Sequence, residues 1–350
     1  MKIETSKLLK AVTKAATVVE PTTTLPIIQN ILFKEEGGEL FLHATNLQTS
    51  IKVKVDDVEV EEGLSSAVQT RTLISLLKSV SGSLELSFSD AQVDVKAGTG
   101  KYQISAFNGE DFPLTDVIKG DKSKKGYVWE RAVELTSGSV STDDLRAAMQ
   151  GLYFDGENGF VVATDGYRLS RYQFDIEGSF IVPPKSLSLL KGLQDEDVYY
   201  KVEDNHVHFT ASQYAFKVRL IDAKYPPYEK VIPTGNNKTL SVSQEKLLQT
   251  AKRVALFANQ ETNALVLELN GETIVRGQDI NFNKSATEKL EANYEGEELT
   301  IGLNSKYLTE ILNTTGDGTL TVTFSEANRP VLVTNNTNNR LLQLIMPVSL

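Results

Sequence analysis

The chain has 350 residues, 40% of them hydrophobic and 23% charged, an ordinary globular composition on a chain too long for one core, so two or three domains are expected. It contains no cysteine, which excludes disulfides and thiolate chemistry and points to a reducing cytoplasm. Its formal net charge of −10 runs against the basic balance usual in nucleic-acid binders, but net charge does not say where the charges sit.

The first ten residues carry lysines and no apolar h-region, so no secretory leader is expected, and no apolar run approaches the length of a membrane helix. A short strand is predicted over 1–5. An amphipathic helix follows to about residue 19, with Ser6 as its N-cap. Leu8, Leu9, Val12, Ala15, Ala16 and Val19 form its apolar face, and Lys7, Lys10 and Lys14 lie on the other. Pro21 and Pro26 end the helix. Strands are predicted over 27–33, 40–44 and 49–55. A second helix over 70–80 turns Leu73, Ile74, Leu76 and Leu77 inward and Arg71, Ser75 and Lys78 outward, and strands over 84–88, 92–97 and 102–107 complete the unit.

Residues 116–126 are polar and lysine-rich, with Gly120 and Gly126 as breakers, and read as a linker. The same order then returns. A strand is expected over 132–135, and a helix over 142–150 opened by Ser141 with Asp144 three residues on. Strands over 152–154, 160–163 and 167–174, a helix from Pro183-Pro184 and three strands between 198 and 220 follow. A third round has helices over 244–257 and 305–312. Leu73-Ile74-Ser75-Leu76-Leu77-Lys78 recurs as Leu187-Ser188-Leu189-Leu190-Lys191, and more loosely as Tyr307-Leu308-Thr309-Glu310-Ile311-Leu312. Ala44-Thr45-Asn46 sits where Ala163-Thr164-Asp165 sits in the second round. The offset of about 115 residues is too long for a solenoid repeat, so each copy is a domain with its own core. The boundaries read as 1–122, 128–234 and 238–350. Two helices per copy among runs of strands make the fold class α+β.

The bases gather on predicted helices: Lys7, Lys10, Lys14, Arg71, Lys78, Arg146, Lys185, Lys191, Lys246, Lys252 and Arg253. The acids gather at 56–62, 195–197 and 288–298. Plain solvation of the helices is one reading. The other is a helix-lined basic surface that meets the phosphates of a polyanion without reading bases. His206 and His208 flank Val207 on one strand face with no third ligand nearby, so no metal site is expected.

The apolar run 160–163 enters a corner at Asp165-Gly166 and leaves as Tyr167-Arg168-Leu169-Ser170-Arg171-Tyr172, an alternating strand-like run. By itself this is a hairpin turn. Its companions are Tyr225-Pro226-Pro227-Tyr228 leading to Val231-Ile232-Pro233, the terminal Met346-Pro347, Leu25-Pro26-Ile27 with Asn30, and Asp111-Phe112-Pro113. In this order and spacing, over nearly the whole chain, the set resembles the bacterial DNA polymerase III β subunit, the sliding clamp family.

The resemblance implies three tandem DNA-clamp domains, each with two helices inside and antiparallel sheets outside. It implies a head-to-tail homodimer that closes a ring around duplex DNA, read without sequence preference. As partners it implies the replicative DNA polymerase, a clamp loader and other proteins with clamp-binding motifs, with no membrane, cofactor, metal or catalysis. Carried over by position, a partner-peptide pocket comprises Met149, Thr164, Gly166, Tyr167, Arg168, Leu169, Pro226, Lys230, Val231, Asn304, Tyr307, Leu344, Met346, Pro347 and Val348. Lys10, Lys14, Arg71, Arg146, Lys185, Lys191 and Lys252 would face DNA, and Tyr102 would meet Leu256 and Phe257 at the dimer interface. The chain departs from the family pattern at Tyr167, where His is common, at Ala147 and Ala148, where bulkier residues are common, and at Ser349, where Arg is common. Residues 271–298 match in pattern only. These departures suggest a divergent or phage-borne member. A clamp-like scaffold that never closes on DNA is the alternative within the fold. A hydrolase using Asp165 with His206 or His208 is the alternative outside it, but no nucleophile elbow, metal-ligand spacing or phosphate loop accompanies those residues.

Overall fold

The computed structural model describes residues 1–89, 91–193 and 196–350; Asp195, counted above among the acids, lies outside them. Its α-helices are α1 (Thr5–Ala16), α2 (Thr70–Ser79), α3 (Gly126–Thr136), α4 (Pro184–Leu187), α5 (Gln244–Ala255) and α6 (Ser305–Thr315). No helix among the described residues is long and apolar enough to cross a membrane. The chain forms two compact units, residues 1–130 with 185–220, and residues 131–184 with 221–350.

In the first unit α1 and α2 pack on each other and bury Leu8, Val12 and Ala15 with Leu73 and Leu77, the three-and-four spacing of an apolar helix stripe. They lie against a twelve-stranded sheet whose paired strands are all antiparallel. Its strand Thr49–Val55 alternates cleanly, with Thr49, Ile51, Val53 and Val55 buried. That strand pairs on one side with Glu39–Thr45. On the other it pairs with Tyr214–Arg219, in the register Val53↔Tyr214, Ile51↔Phe216 and Thr49↔Val218. One strand of the first repeat is thus zipped to the last strand of the second. The strand Gly100–Asn108 pairs with Gln92–Ala97 on one side, but on the other only at residues 106–108, with Ser65–Gln69.

The second unit repeats the arrangement. Its helices α5 and α6 pack together, and Leu247, Leu248, Ala251, Val254, Leu308, Ile311 and Leu312 join Leu267, Ile301, Leu320 and Val322 of the sheets in one core. A nine-stranded sheet contains the equivalent seam: Arg168–Gln173 of the second repeat pairs with Asn338–Ile345, the last long strand of the third, from Arg168↔Ile345 to Tyr172↔Leu341. A five-stranded sheet runs Lys284–Leu290, Thr273–Asp279, Ala264–Leu269, Leu299–Asn304, Pro347–Val348. Lys284–Leu290 is therefore an edge strand.

Several local expectations are corrected. Ser6 does not cap α1; the N-cap is Glu4, without a side-chain bond, and Thr5 Oγ1 donates to Gly82 O at 2.7 Å. The stretch 27–33 splits into a 3-10 turn at Pro26–Gln29 and a strand from Asn30. The second repeat opens with α3, which includes the supposed strand 132–135. Trp129, Ala132, Val133 and Thr136 are all buried, at i, i+3, i+4 and i+7. The helix expected over 142–150 is absent but for a 3-10 turn at Ala147–Gln150. Ser141 Oγ accepts from Asp143 N at 3.1 Å, a tight local turn that competes with a helical start. The supposed linker contains the strand Lys122–Lys125, paired with Asp197–Glu203, and Ile118 N donates to His208 Nδ1 at 3.1 Å. The helix from Pro183-Pro184 shrinks to one turn, followed by a 3-10 turn at Ser188–Leu190.

Candidate peptide-binding site

The turn at 164–168 is built by its own side chains. Asp165 Oδ1 accepts from Tyr167 N and Arg168 N, both at 2.9 Å, and Thr164 Oγ1 donates to Arg168 O at 2.6 Å. Gly166 sits at φ +88°, a conformation that costs a side-chain-bearing residue strain. A Cβ there would also lie 2.7 Å from Arg146 Nη1, which donates to Asp165 O at 3.0 Å. Arg168, 9% exposed, donates through Nε to Asp165 Oδ2 at 3.1 Å, pairs through Nη1 with Glu310, and lies 4.6 Å from the centroid of the Tyr307 ring. Its charge is therefore compensated by two carboxylates, and its role is to lock the turn against α6. The Tyr167 ring stacks on Tyr307 at 6.2 Å and 19°. Burial, then the nearby Asp165 carboxylate, holds the Tyr307 hydroxyl above the usual phenol range.

The chain terminus is tied to this turn. Met346 N donates to Tyr167 O at 2.8 Å, Leu169 pairs with Leu344, and Pro347 and Val348 pair with Leu303 and Gly302. Asn304 caps α6, its Oδ1 accepting from Lys306 N at 3.0 Å and Tyr307 N at 3.3 Å. Leu169 and Leu344 share an apolar cluster with Tyr225 and Tyr228, packed by Ala148, Ile232 and Met346. Contacts bring together Thr164, Tyr167, Arg168, Leu169, Tyr307, Leu344 and Met346 of the expected set, whereas Pro226, Lys230, Val231 and Met149 are only chain neighbours of Tyr225, Tyr228, Ile232 and Ala148. One detail is corrected. Leu169 and Leu344 are buried, and the apolar surface presented to solvent is that of Tyr167 and Val231, 55% and 50% exposed, beside a half-buried Met346. Sequence reasoning missed Glu310 as the partner of Arg168. Its spacing of three from Tyr307 on α6, which puts both on one helix face, was the available signal.

The expected DNA-facing bases divide. Lys10, Arg71 and Lys252 are exposed on α1, α2 and α5. Lys185 is exposed on the one-turn α4, with Glu20 at 3.8 Å, and Lys191 is exposed just after the 3-10 turn rather than on a helix. Arg146 is not helical; it also reaches Asp143 at 3.3 Å and serves the 164–168 turn. Lys14 is half-buried, its Nζ donating to Leu189 O. On α5, Lys246 and Arg253 pair with Glu291 and Glu288. The supposed core alternative for the interface residues fails: Tyr102, Leu256 and Phe257 are 40%, 75% and 39% exposed. The residues of the hydrolase alternative are engaged in structural contacts. Asp165 is engaged by the turn and Arg168, and His208 accepts from a backbone N–H, its imidazole pushed down to about 4 by burial and then by Lys217.

The chain matches the N-terminal, central and C-terminal domain models of the DNA polymerase III beta subunit over residues 1–116, 125–227 and 229–349. The beta sliding clamps of Pseudomonas aeruginosa and Vibrio cholerae are each 27% identical to it, with 99% of both chains covered. Among solved structures, a P. aeruginosa sliding clamp bound to griselimycin superposes with a TM-score of 0.94 at 27% identity, covering 100% of this chain and 99% of that one. A Caulobacter crescentus beta sliding clamp, with polyethylene glycol bound to its putative beta-motif tethering region, gives 0.92 at 25% identity, covering 100% and 98%. Three tandem clamp domains in the right order, over the whole chain, establish that this protein belongs to the DNA polymerase III beta subunit family, the sliding clamps.

Proposed function

We propose that two copies of this chain, each with clamp domains at 1–122, 128–234 and 238–350, join head to tail into a ring that encircles duplex DNA and tethers the replicative polymerase and other DNA enzymes to it. The ring itself performs no catalysis. The observation that carries this reading is the pattern of strand seams. The strand Thr49–Val55 of the first repeat is paired to Tyr214–Arg219, the last strand of the second, and Arg168–Gln173 of the second repeat to Asn338–Ile345, the last long strand of the third. Among the described residues, the corresponding strand of the third repeat, Lys284–Leu290, has an unpaired edge, and the last strand of the first repeat, Gly100–Asn108, is unpaired on one side before residue 106. Such edges invite pairing with another chain. A head-to-tail contact between them completes the series, and a twofold repeat closes it without leaving a free edge to polymerise. Tyr102 lies on one of these strands, and Leu256 and Phe257 follow α5, which packs on the other.

The peptide site takes short flexible segments of the polymerase, the loader and other clamp-binding proteins. Val231, Tyr167 and Met346 supply the first apolar contacts. A shift of Met346, which has three rotatable side-chain bonds, opens Leu169 and Leu344 to a guest's Leu or Phe.

Lys10, Arg71, Lys185, Lys191 and Lys252 meet phosphates on an otherwise acidic body, while Lys14 and Arg146 serve the protein itself. Replacing any one of Lys10, Arg71, Lys191 or Lys252 with Ala is expected to weaken DNA binding slightly and equally for every sequence. The dependence of log affinity on log salt should become shallower by about one unit per contact removed. Titrations on duplexes of unrelated sequence across a salt series measure this. A variant with altered sequence preference would contradict the reading.

A further inference from the structure

A cleft of about 800 Å³ opens in the first unit between α1, the strand Thr49–Val55 and the segment that follows the 3-10 turn Ser188–Leu190. Lys14 lies on its wall. Unlike Lys10 one turn earlier, it does not extend into solvent. Its Nζ donates to Leu189 O at 2.5 Å and sits 4.0 Å from the centroid of the Tyr214 ring. The Tyr214 hydroxyl donates to the same carbonyl at 2.6 Å. The acids around the cleft are engaged elsewhere: Asp57 with Lys7, Asp56 with Lys54 and Gln213, and Glu196 with the Ser212 hydroxyl. Among the described residues, Lys14 has no carboxylate at ion-pair distance. Its ammonium is thus held by an aromatic face and one carbonyl.

We propose that Lys14 is a covalent modification site, its ε-amine taking an acyl group from a small acyl phosphate admitted through the cleft. In this step the lone pair of the neutral amine adds to the acyl carbon and forms the C–N bond. The C–O bond to phosphate breaks, phosphate leaves with the electron pair, and the amine proton passes to water. Three features of the site favour it. A desolvated lysine away from carboxylates spends more time as the free amine, and here burial lowers its pKa to about 8, Glu196 pulling it back only in part. Lys10 and Lys191, exposed on the same walls and without ion pairs among the described residues, attract the phosphate of the donor. The Tyr214 phenol, pushed up by burial, stays neutral and does not compete as a nucleophile. The product keeps one N–H for Leu189 O but loses the charge. The proposal does not depend on the clamp reading.

The test uses the intact wild-type chain incubated with acetyl phosphate over a range of pH, with acetylation at each lysine quantified by peptide mass spectrometry. Lys10, on the same helix, is the internal reference. Near neutral pH, Lys14 should be acetylated about ten-fold faster than Lys10, because burial raises its free-amine fraction by more than the weaker nucleophilicity of a less basic amine offsets. The Lys14 rate should level off above the pH near 8 at which its amine is half deprotonated. Modification of Lys14 no faster than Lys10, or a Lys14 rate that does not level off with pH, overturns the proposal.

Discussion

Replacing Leu256 and Phe257 together with alanine is expected to turn the proposed head-to-tail dimer into monomers in sedimentation velocity. Both side chains are already solvent-exposed in the single chain, at 75% and 39%, so their loss costs the fold of the protomer little. The cost falls on the interface. Burying two such side chains is worth roughly 3–6 kcal/mol per interface, so the dissociation constant of each contact rises by about 10²–10⁴. Both interfaces of a two-membered ring carry the change, which removes any dimer held by one intact contact. Tyr102→Ala, on the opposing strand, should act in the same direction but more weakly. Unchanged far-ultraviolet circular dichroism is expected throughout. A double variant that still sediments as a dimer would show that these residues do not form the contact.

Met346→Ala weakens a peptide of the Gln-Leu-x-Leu-Phe type by about ten-fold or more, and removing residues 346–350 abolishes its binding. The two apolar anchors of such a peptide contribute roughly 3–6 kcal/mol before the ordering costs of the peptide, and a few hydrogen bonds bring the total to about micromolar affinity. Met346 is half-buried against Leu169 and Leu344, and its N–H holds Tyr167 O at 2.8 Å. Alanine keeps that backbone bond and removes only the adaptable side chain, whereas truncation also removes the strand Pro347–Val348 from the edge of Leu299–Asn304. Fluorescence anisotropy of a labelled peptide separates the two, with the dimer checked in parallel. Unchanged affinity for Met346→Ala and for the truncation, on an intact dimer, would move the peptide site elsewhere.

The threefold repetition was legible because the residues that carry it are structural. The helices α1, α2, α5 and α6 show apolar spacing of three and four, and the strands Thr49–Val55 and Gln92–Ala97 were read to the residue. The second repeat was harder. Ser141 and Asp144 look like a helix start, yet polar side chains that bond the backbone locally favour turns as readily as caps, and the helix lies some fifteen residues earlier around Trp129. Its stripe of Trp129, Ala132, Val133 and Thr136 was present in the sequence, but its β-branched members also suit a strand. The geometry of the candidate peptide site was not legible. Nothing local says that Arg168 spends its charge on Asp165 and Glu310, because Glu310 is 142 residues away, or that Arg146 leaves the DNA set to brace Asp165. The same holds for Lys14, whose helical position is indistinguishable from that of Lys10 until Leu189 and Tyr214 close over it.

The central claim is topological: a closed ring on DNA. It is tested most directly by loading the protein onto a nicked circular duplex with a clamp loader, separating free from bound protein by gel filtration in salt high enough to screen phosphate contacts, and then cutting the circle once. The account predicts that the protein stays with the circle and is lost when the DNA is linearised, because a ring held by topology leaves over a free end. Equal loss from the circle, or equal retention on the linear form, would contradict it.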